Sequence, residues 1–339
     1  MSVEGFIMTT FVLGAGASLH AGYPLTAQLG NRLHDWARLN DFMWRGYIEE
    51  LHEQYGGLAD LELILSQLHE RPPGSPVAAF SQMHCGNAIG GLRVAIPEYF
   101  RSLRQKPIQG PDLYETLARE KVHGDDAILT FNYDLACERA LKRAGLWEVS
   151  NGYGFELDLD SIPPSKVKLL KLHGSTNWLG ILFRGTMGPS QASSAYDYRP
   201  AVTGGNDSAF LNYADSVRDP LWQGISRTGG EPALILPTLH KNFFHQTSLG
   251  REWEPFWDDI WGQAEQVLRS SNKVVIIGYS MPAADERARQ LLLKHSSPDA
   301  DILVYSGSRS NAISEDFRKC GFHSVKSSGQ GYFEDYLNS

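Results

Sequence analysis

Cysteine is scarce in this chain: Cys85, Cys137 and Cys320 stand far apart, and no two form a Cys-x-x-Cys pair. Neither a disulfide framework nor a cysteine zinc site can be built from them. Positive charge is in deficit as well. Lys and Arg number 31 against 39 Asp and Glu, a formal net charge of -8, so strong direct binding of nucleic acid is not expected. Long apolar runs are missing, and no stretch approaches the length of a membrane span. The apolar segment from Gly5 to Leu13 carries Glu4 where a secretory signal would carry a basic leader, which makes the cytoplasm the expected compartment. With 339 residues, 42% of them hydrophobic, the chain can bury a substantial core, as one large domain or as a core with a smaller insertion.

What is present begins at residues 11 to 18, Phe-Val-Leu-Gly-Ala-Gly-Ala-Ser. A short apolar run breaks into glycines where a helical pattern starts, the pattern of a strand feeding a phosphate-cradling turn. Gly14 and Gly16 would let the backbone approach a pyrophosphate, with amides of the following helix facing its charge. A dehydrogenase-type fingerprint requires a third glycine at position 19 and an acidic residue after a second strand. Leu19 occupies the first place, and Asp35 lies within a helical stripe of Leu29, Leu33, Trp36 and Ala37, so the dehydrogenase reading loses ground.

Four further aliphatic runs read as buried parallel strands: Ala127 to Phe131, Val167 to Leu172, Lys273 to Ile277 and Asp301 to Tyr305. Their polar ends are Asn132-Tyr133-Asp134, His173-Gly174-Ser175, Gly278-Tyr279-Ser280 and Ser306-Gly307-Ser308. In an open α/β sheet such ends share one rim, where ligands bind. Residues 31–120 are mostly helical in pattern, broken at Arg71-Pro72-Pro73-Gly74-Ser75-Pro76, and read as a helical insertion. Residues 183–232 read as a loop-rich excursion. Trp253, Phe256, Trp257, Ile260 and Trp261 stand at helical spacing, as on a helix packed against a sheet. The expected fold is therefore α/β, a Rossmann-like parallel sheet built from 11–30 and 121–310 with an inserted helical module.

Taken in order, Gly14-Ala15-Gly16-Ala17-Ser18, Thr130-Phe131-Asn132-Tyr133-Asp134, Leu172-His173-Gly174-Ser175 and Gly278-Tyr279-Ser280 resemble the NAD-binding motifs of the Sir2 (sirtuin) fold. The variant they resemble is that of the bacterial Sir2-like proteins of antiphage defence, and the resemblance runs from residue 11 to about 308. It implies an effector that hydrolyses NAD, as substrate, to nicotinamide and ADP-ribose, with Asn132 and His173 catalytic. It places Gly14, Ala15, Gly16 and Ser18 at the pyrophosphate and neighbouring ribose and Asp134 on the nicotinamide side. Gly278, Ser280 and Ser306 fall in the late cofactor-binding positions, the two serines toward the adenosine half. Gly22-Tyr23-Pro24 is similar to the start of the flexible cofactor loop, without its acidic-aromatic-arginine continuation. Deacylating sirtuins carry two Cys-x-x-Cys pairs after the histidine motif, whereas residues 179–232 here contain no cysteine. The resemblance thus implies no zinc module, no metal and a weakened case for deacylation. Because the motifs occupy almost all of the chain, control by a homo-oligomer or by a partner such as a HerA-type ATPase or a short Argonaute is expected. An NAD-dependent protein deacylase and a non-catalytic NAD or ADP-ribose sensor are the alternatives.

The residue types suit the chemistry independently. The ribose–nicotinamide bond breaks through an oxocarbenium-like transition state with a leaving group that departs neutral, so a positioned water in an oriented, dry pocket suffices. An asparagine amide can hold that water or a ribose hydroxyl, and a histidine, whose ordinary pKa is about 6.5, can accept a proton at neutral pH. Plainer readings stand beside these. Asn132-Tyr133-Asp134 can also cap a helix from Leu135 to Ala144. Asp285 and Arg287 can be only helix-start charge and surface pairing, a reading favoured for Arg287, and Leu236-Pro237 through His240-Lys241 either a second cleft edge or an ordinary loop.

Overall fold

The computed structural model describes residues 8–155, 163–184, 196–202, 231–238 and 254–339. Most of the 183–232 excursion, together with His240, Lys241 and Trp253, lies outside the described residues. Strand β1 (Thr9–Leu13) runs into a 3-10 helix over Ala15–Ala21, followed by α1 (Thr26–Leu39), α2 (Arg45–Tyr55), α3 (Leu61–Glu70) and α4 (Gln82–Arg104). Next come α5 (Leu113–Glu120), β2 (Ala127–Thr130), α6 (Ala136–Arg143), β3 (Lys168–Lys171), β4 (Gly174–Arg184), β5 (Tyr196–Val202) and β6 (Glu231–Leu234). The remainder is α7 (Glu254–Ser270), β7 (Lys273–Ile277), α8 (Glu286–His295), β8 (Asp301–Tyr305), α9 (Ser310–Lys319), β9 (Val325–Ser327) and α10 (Phe333–Leu337).

These elements fall into two compact units, the first comprising Met1–Leu25, Lys106–His173 and Trp257–Ser339, the second Thr26–Gln105 and Gly174–Phe256. The first unit is a parallel sheet in the order β3-β2-β1-β7-β8-β9. Its central strands are apolar over the stretches covered on both faces: Phe11 to Leu13 and Val274 to Ile277 have no exposed surface. Strand order runs outward from β1 one way and from β7 the other, so the crevice at which such sheets bind ligands falls between these two. Register then sets the level of every strand end. Leu13 lies opposite Thr130 and Ile277, Thr130 opposite Lys171, and Ile277 opposite Tyr305. Gly14, Phe131, Leu172, Gly278 and Ser306 consequently leave the sheet at one height on one rim. The chain beyond residue 310, for which the sequence suggests no element, supplies α9, β9 and α10.

The second unit joins α1 to α4 with an antiparallel sheet, β5-β4-β6, beside which α4 packs. Helix α1 buries Leu29, Gly30, Leu33, His34 and Ala37. Gly30 is required there because a Cβ would stand 1.9 Å from the Leu58 carbonyl oxygen. Helix starts follow capping chemistry, with Asp60 accepting from the Leu63 N–H and Ser81 from the His84 N–H. Helix α5 belongs to the first unit, where Asp112 caps it by accepting from Tyr114 and Glu115 N–H groups. Strands β5 and β6 fall in or beside the segment read as loop, and each contains a proline, Pro200 and Pro232. Both lie on the edges of the small sheet, where a missing N–H donor is tolerated. No helix among the described residues is long and apolar enough to cross a membrane.

Candidate functional site

The site is built on the turns leaving β1 and β7. The Gly14 N–H donates to the Ile277 carbonyl (3.0 Å) and the Gly16 N–H to that of Gly278 (2.9 Å). A Cβ on Gly14 would lie 2.4 Å from Tyr279 Cα, and one on Gly16 2.8 Å from Gly278 Cα. Gly278, in the left-handed region at φ +61, would bring its own Cβ to 2.3 Å from the Ala17 nitrogen. Gly14 and Gly16 sit where two backbone turns pack face to face, and their own amides bond across that contact. The segment behind them, with Ala15 at its start, is a 3-10 helix and not an α-helix.

Asn132, two residues past the end of β2, is anchored on that packed turn. Its Nδ2 donates to the Gly14 carbonyl at 2.9 Å and to Ser18 Oγ at 3.0 Å, and lies 3.5 Å from the Tyr114 hydroxyl. A carbonyl oxygen only accepts, so the NH2 must face Gly14, and Oδ1 is the side of the amide left to act as acceptor. Ser18 Oγ and the Tyr114 hydroxyl share a hydrogen bond of 2.9 Å. Burial pushes the Tyr114 phenol well above its ordinary pKa, with the Asp134 charge adding to the effect, so it stays a neutral donor. Tyr114 carries no signal in sequence: it lies on the buried stripe of α5 like any core aromatic.

His173 follows β3 and is buried. Its ring faces Phe131 at a centroid distance of 5.0 Å and Trp261 at 6.4 Å, and its Nε2 stands 3.3 Å from Asp285 Oδ2. Tyr279 stacks on Phe131 at 4.2 Å and donates its hydroxyl to the same carboxylate oxygen at 3.2 Å. Asp285 does precede α8, but its side chain makes no cap bond and is 1% exposed. The helix-start reading of Asp285 is thereby replaced by a buried carboxylate turned toward the histidine. Arg287 keeps its surface pairing, 3.0 Å from Asp258, and lays its guanidinium over the Trp261 ring at 4.5 Å.

Asp134 is buried, and its Oδ1 accepts from the Ala136 N–H at 3.0 Å, an Asx-type turn just ahead of α6, whose N-cap is Leu135. Its carbonyl accepts from Lys171 Nζ, which is also 2.6 Å from Glu138 Oε1. The Tyr153 hydroxyl donates to that same oxygen at 3.2 Å. Burial raises the Glu138 pKa even though Lys171 opposes the shift. This inner pair thus ties the asparagine-bearing loop to β3. Ser280 is exposed, with its carbonyl 3.4 Å from Arg309 Nε, and Ser306 is half-buried, its N–H donating to Ser310 Oγ at 2.8 Å. Of the residues named from sequence, Gly14, Gly16, Ser18, Asn132 and Gly278 form one bonded group, to which His173 is joined through Phe131 and Tyr279. The bonds of Ser280 and Ser306 run instead to Arg309 and Ser310. Among the described residues no group of three or more His, Cys, Asp or Glu is arranged to hold a metal ion.

No family model matches this chain, and no curated protein does. Several solved structures are similar to it. A Sir2 enzyme studied for mechanism and regulation is 14% identical, covering 97% of this chain and 90% of its own, with a TM-score of 0.39. A Sir2 protein bound to a propionylated peptide is 12% identical, covering 98% and 90%, also with a TM-score of 0.39. A Sir2 homologue–NAD complex is 13% identical, covering 92% and 89%, with a TM-score of 0.36. Independently of these likenesses, strand order and register define a doubly wound α/β fold.

Proposed function

We propose that this chain is an NAD glycohydrolase that cleaves NAD to nicotinamide and ADP-ribose, with Asn132 and His173 as its catalytic residues. The observation that carries the reading is the anchored amide of Asn132: with Nδ2 held by Gly14 and Ser18, Oδ1 is oriented before substrate arrives. Oδ1 accepts a hydrogen bond from the attacking water or from a ribose hydroxyl. His173 takes the proton that water loses as its oxygen bonds the anomeric carbon, and the electrons of the ribose–nitrogen bond leave with neutral nicotinamide. One water is consumed and one proton released. Phe131, Tyr279 and Trp261 give the histidine an apolar surround that limits competing solvent.

The motif resemblance supports an effector role in antiphage defence, restrained by self-assembly or by a partner that recognises the invader. It equally covers an NAD-dependent deacylase, which would use the same two residues. The cysteine-free 179–232 segment favours hydrolysis, because it lacks the zinc ligands found in deacylating sirtuins. Incubation of the purified protein with NAD, with and without an acylated lysine peptide, tests this. Nicotinamide release that is indifferent to peptide is the expected result, and release that depends on peptide with transfer of the acyl group selects the deacylase.

A further inference from the structure

We infer that Asp285 is a positioning residue for His173, its carboxylate standing at the Nε2 edge of the imidazole and stabilising the protonated ring that forms when His173 takes the proton from water. The inference deepens the proposed hydrolase reading and rests on His173 being the proton acceptor.

An aspartate at the start of a helix ordinarily turns its oxygen onto the first-turn amides, a bond worth about 1 kcal/mol. Asp285 makes no such bond. It is 1% exposed, and a carboxylate taken that far from water needs compensating partners. Among the described residues the Tyr279 hydroxyl donates to Oδ2 at 3.2 Å, and His173 Nε2 stands 3.3 Å from the same oxygen, within ion-pairing reach without a hydrogen bond. Tyr279 is itself fixed by its 4.2 Å stack on Phe131, the ring that His173 faces at 5.0 Å. The ends of three strands, β2, β3 and β7, thus enclose one histidine–carboxylate pair.

A carboxylate oxygen at ion-pairing distance from a buried imidazole favours the protonated ring. In the hydrolytic step an O–H bond of water breaks and its proton moves to the His173 imidazole. The oxygen pair forms the bond to the anomeric carbon, and the old C–N pair departs with nicotinamide. The imidazolium left behind carries a positive charge that Asp285 balances. Other charged groups that the described residues place nearby are Arg287, over the opposite partner ring Trp261, and the Lys171–Glu138 pair at the end of β3. Lys171 is compensated by Glu138, and Arg287 by Asp258. Among the described residues, Asp285 is thus the carboxylate that stands within ion-pairing distance of His173.

The test is the Asp285→Asn variant, which keeps size and removes charge, followed by two readouts. In NAD turnover, kcat is expected to fall about 100-fold while the NAD dissociation constant stays within about twofold, and the acidic limb of the pH profile moves to lower pH because the base has lost its counter-charge. Tyr279→Phe should shift the limb in the same direction by less, and Asp285→Asn should cost nothing further in a His173→Ala background. The second readout needs no turnover: the His173 imidazole is titrated by NMR with labelled histidine, and its proton affinity should drop about tenfold in Asp285→Asn. An unchanged His173 titration in the folded variant overturns the inference, as does a loss of kcat with no movement of the pH limb. A wild-type protein that fails to cleave NAD counts against the hydrolase reading instead, and the titration still decides whether Asp285 governs His173.

Discussion

Asn132 shows how much one side chain is asked to do. Its amino group satisfies the Gly14 carbonyl and Ser18 Oγ inside the protein, while its carbonyl is the acceptor offered to substrate. Asn132→Asp separates these duties. At neutral pH it sets a carboxylate oxygen against the Gly14 carbonyl, so the variant should be less stable than wild type by about 1–3 kcal/mol. Its folded-state pKa is raised by that repulsion, so the destabilisation applies while the new group is ionised and is relieved as pH falls through the raised value and the protonated acid can donate to Gly14. Thermal melts across pH check this, and a deficit that does not shrink on acidification counts against the assigned amide orientation. His173→Ala, outside that bonded group, should fold normally and lose about 100- to 10,000-fold in NAD turnover. A folded His173→Ala variant with near wild-type turnover removes the histidine from the mechanism. Asn132 and His173 were legible in the sequence because each sits one step past an aliphatic run. Tyr114 and Asp285 were not, since their roles arise from which side chains meet across elements remote in sequence.

Among the elements, the glycine turn after β1 is a packing device. Gly14→Ala places a methyl 2.4 Å from Tyr279 Cα, where backbone and not a flexible side chain would have to move. A loss of stability of about 1–3 kcal/mol is expected. Gly86, on an exposed face of α4 with nothing within 4 Å of its missing Cβ, is the matched control. Gly86→Ala should gain about 0.5–1 kcal/mol. Equal melting temperatures for the two variants would contradict the packing argument. Helix α5, which carries Tyr114, depends on its cap. Burial alone would raise the Asp112 pKa, but the His20 bond and the Tyr114 and Glu115 amides outweigh it and hold the carboxyl below its ordinary range. A depressed pKa gives stability that is present above the ordinary carboxylate value and lost as pH falls through the folded one. Asp112→Ala should therefore cost about 1 kcal/mol at neutral pH, and less under acid. The parallel strands were legible as short aliphatic runs whose ends carry polar residues and glycine. Strands β5 and β6 were hidden by Pro200 and Pro232, which only an edge position accommodates, and the three residues of β9, Val-Lys-Ser, are too short and polar to announce a strand.

For the molecule as a whole, register brings the strand-end motifs to one level on one rim, and the sequence alone gives their order but not that level. The scattered cysteines lead us to expect no stoichiometric zinc in the purified protein and no effect of chelators on folding or NAD cleavage; one tightly bound zinc per chain by elemental analysis would reverse this and favour the deacylase. Unchecked NAD cleavage is lethal to a host cell, so activity per chain should rise with protein concentration or on addition of a partner. The most direct measurement quantifies nicotinamide and ADP-ribose formed from NAD, without peptide, over a concentration series of wild-type protein beside His173→Ala. The account predicts equal amounts of the two products from wild type, increasing per chain as concentration rises, and at least about 100-fold less from the variant. The same yield from His173→Ala, or nicotinamide released without an equal amount of ADP-ribose, would contradict it.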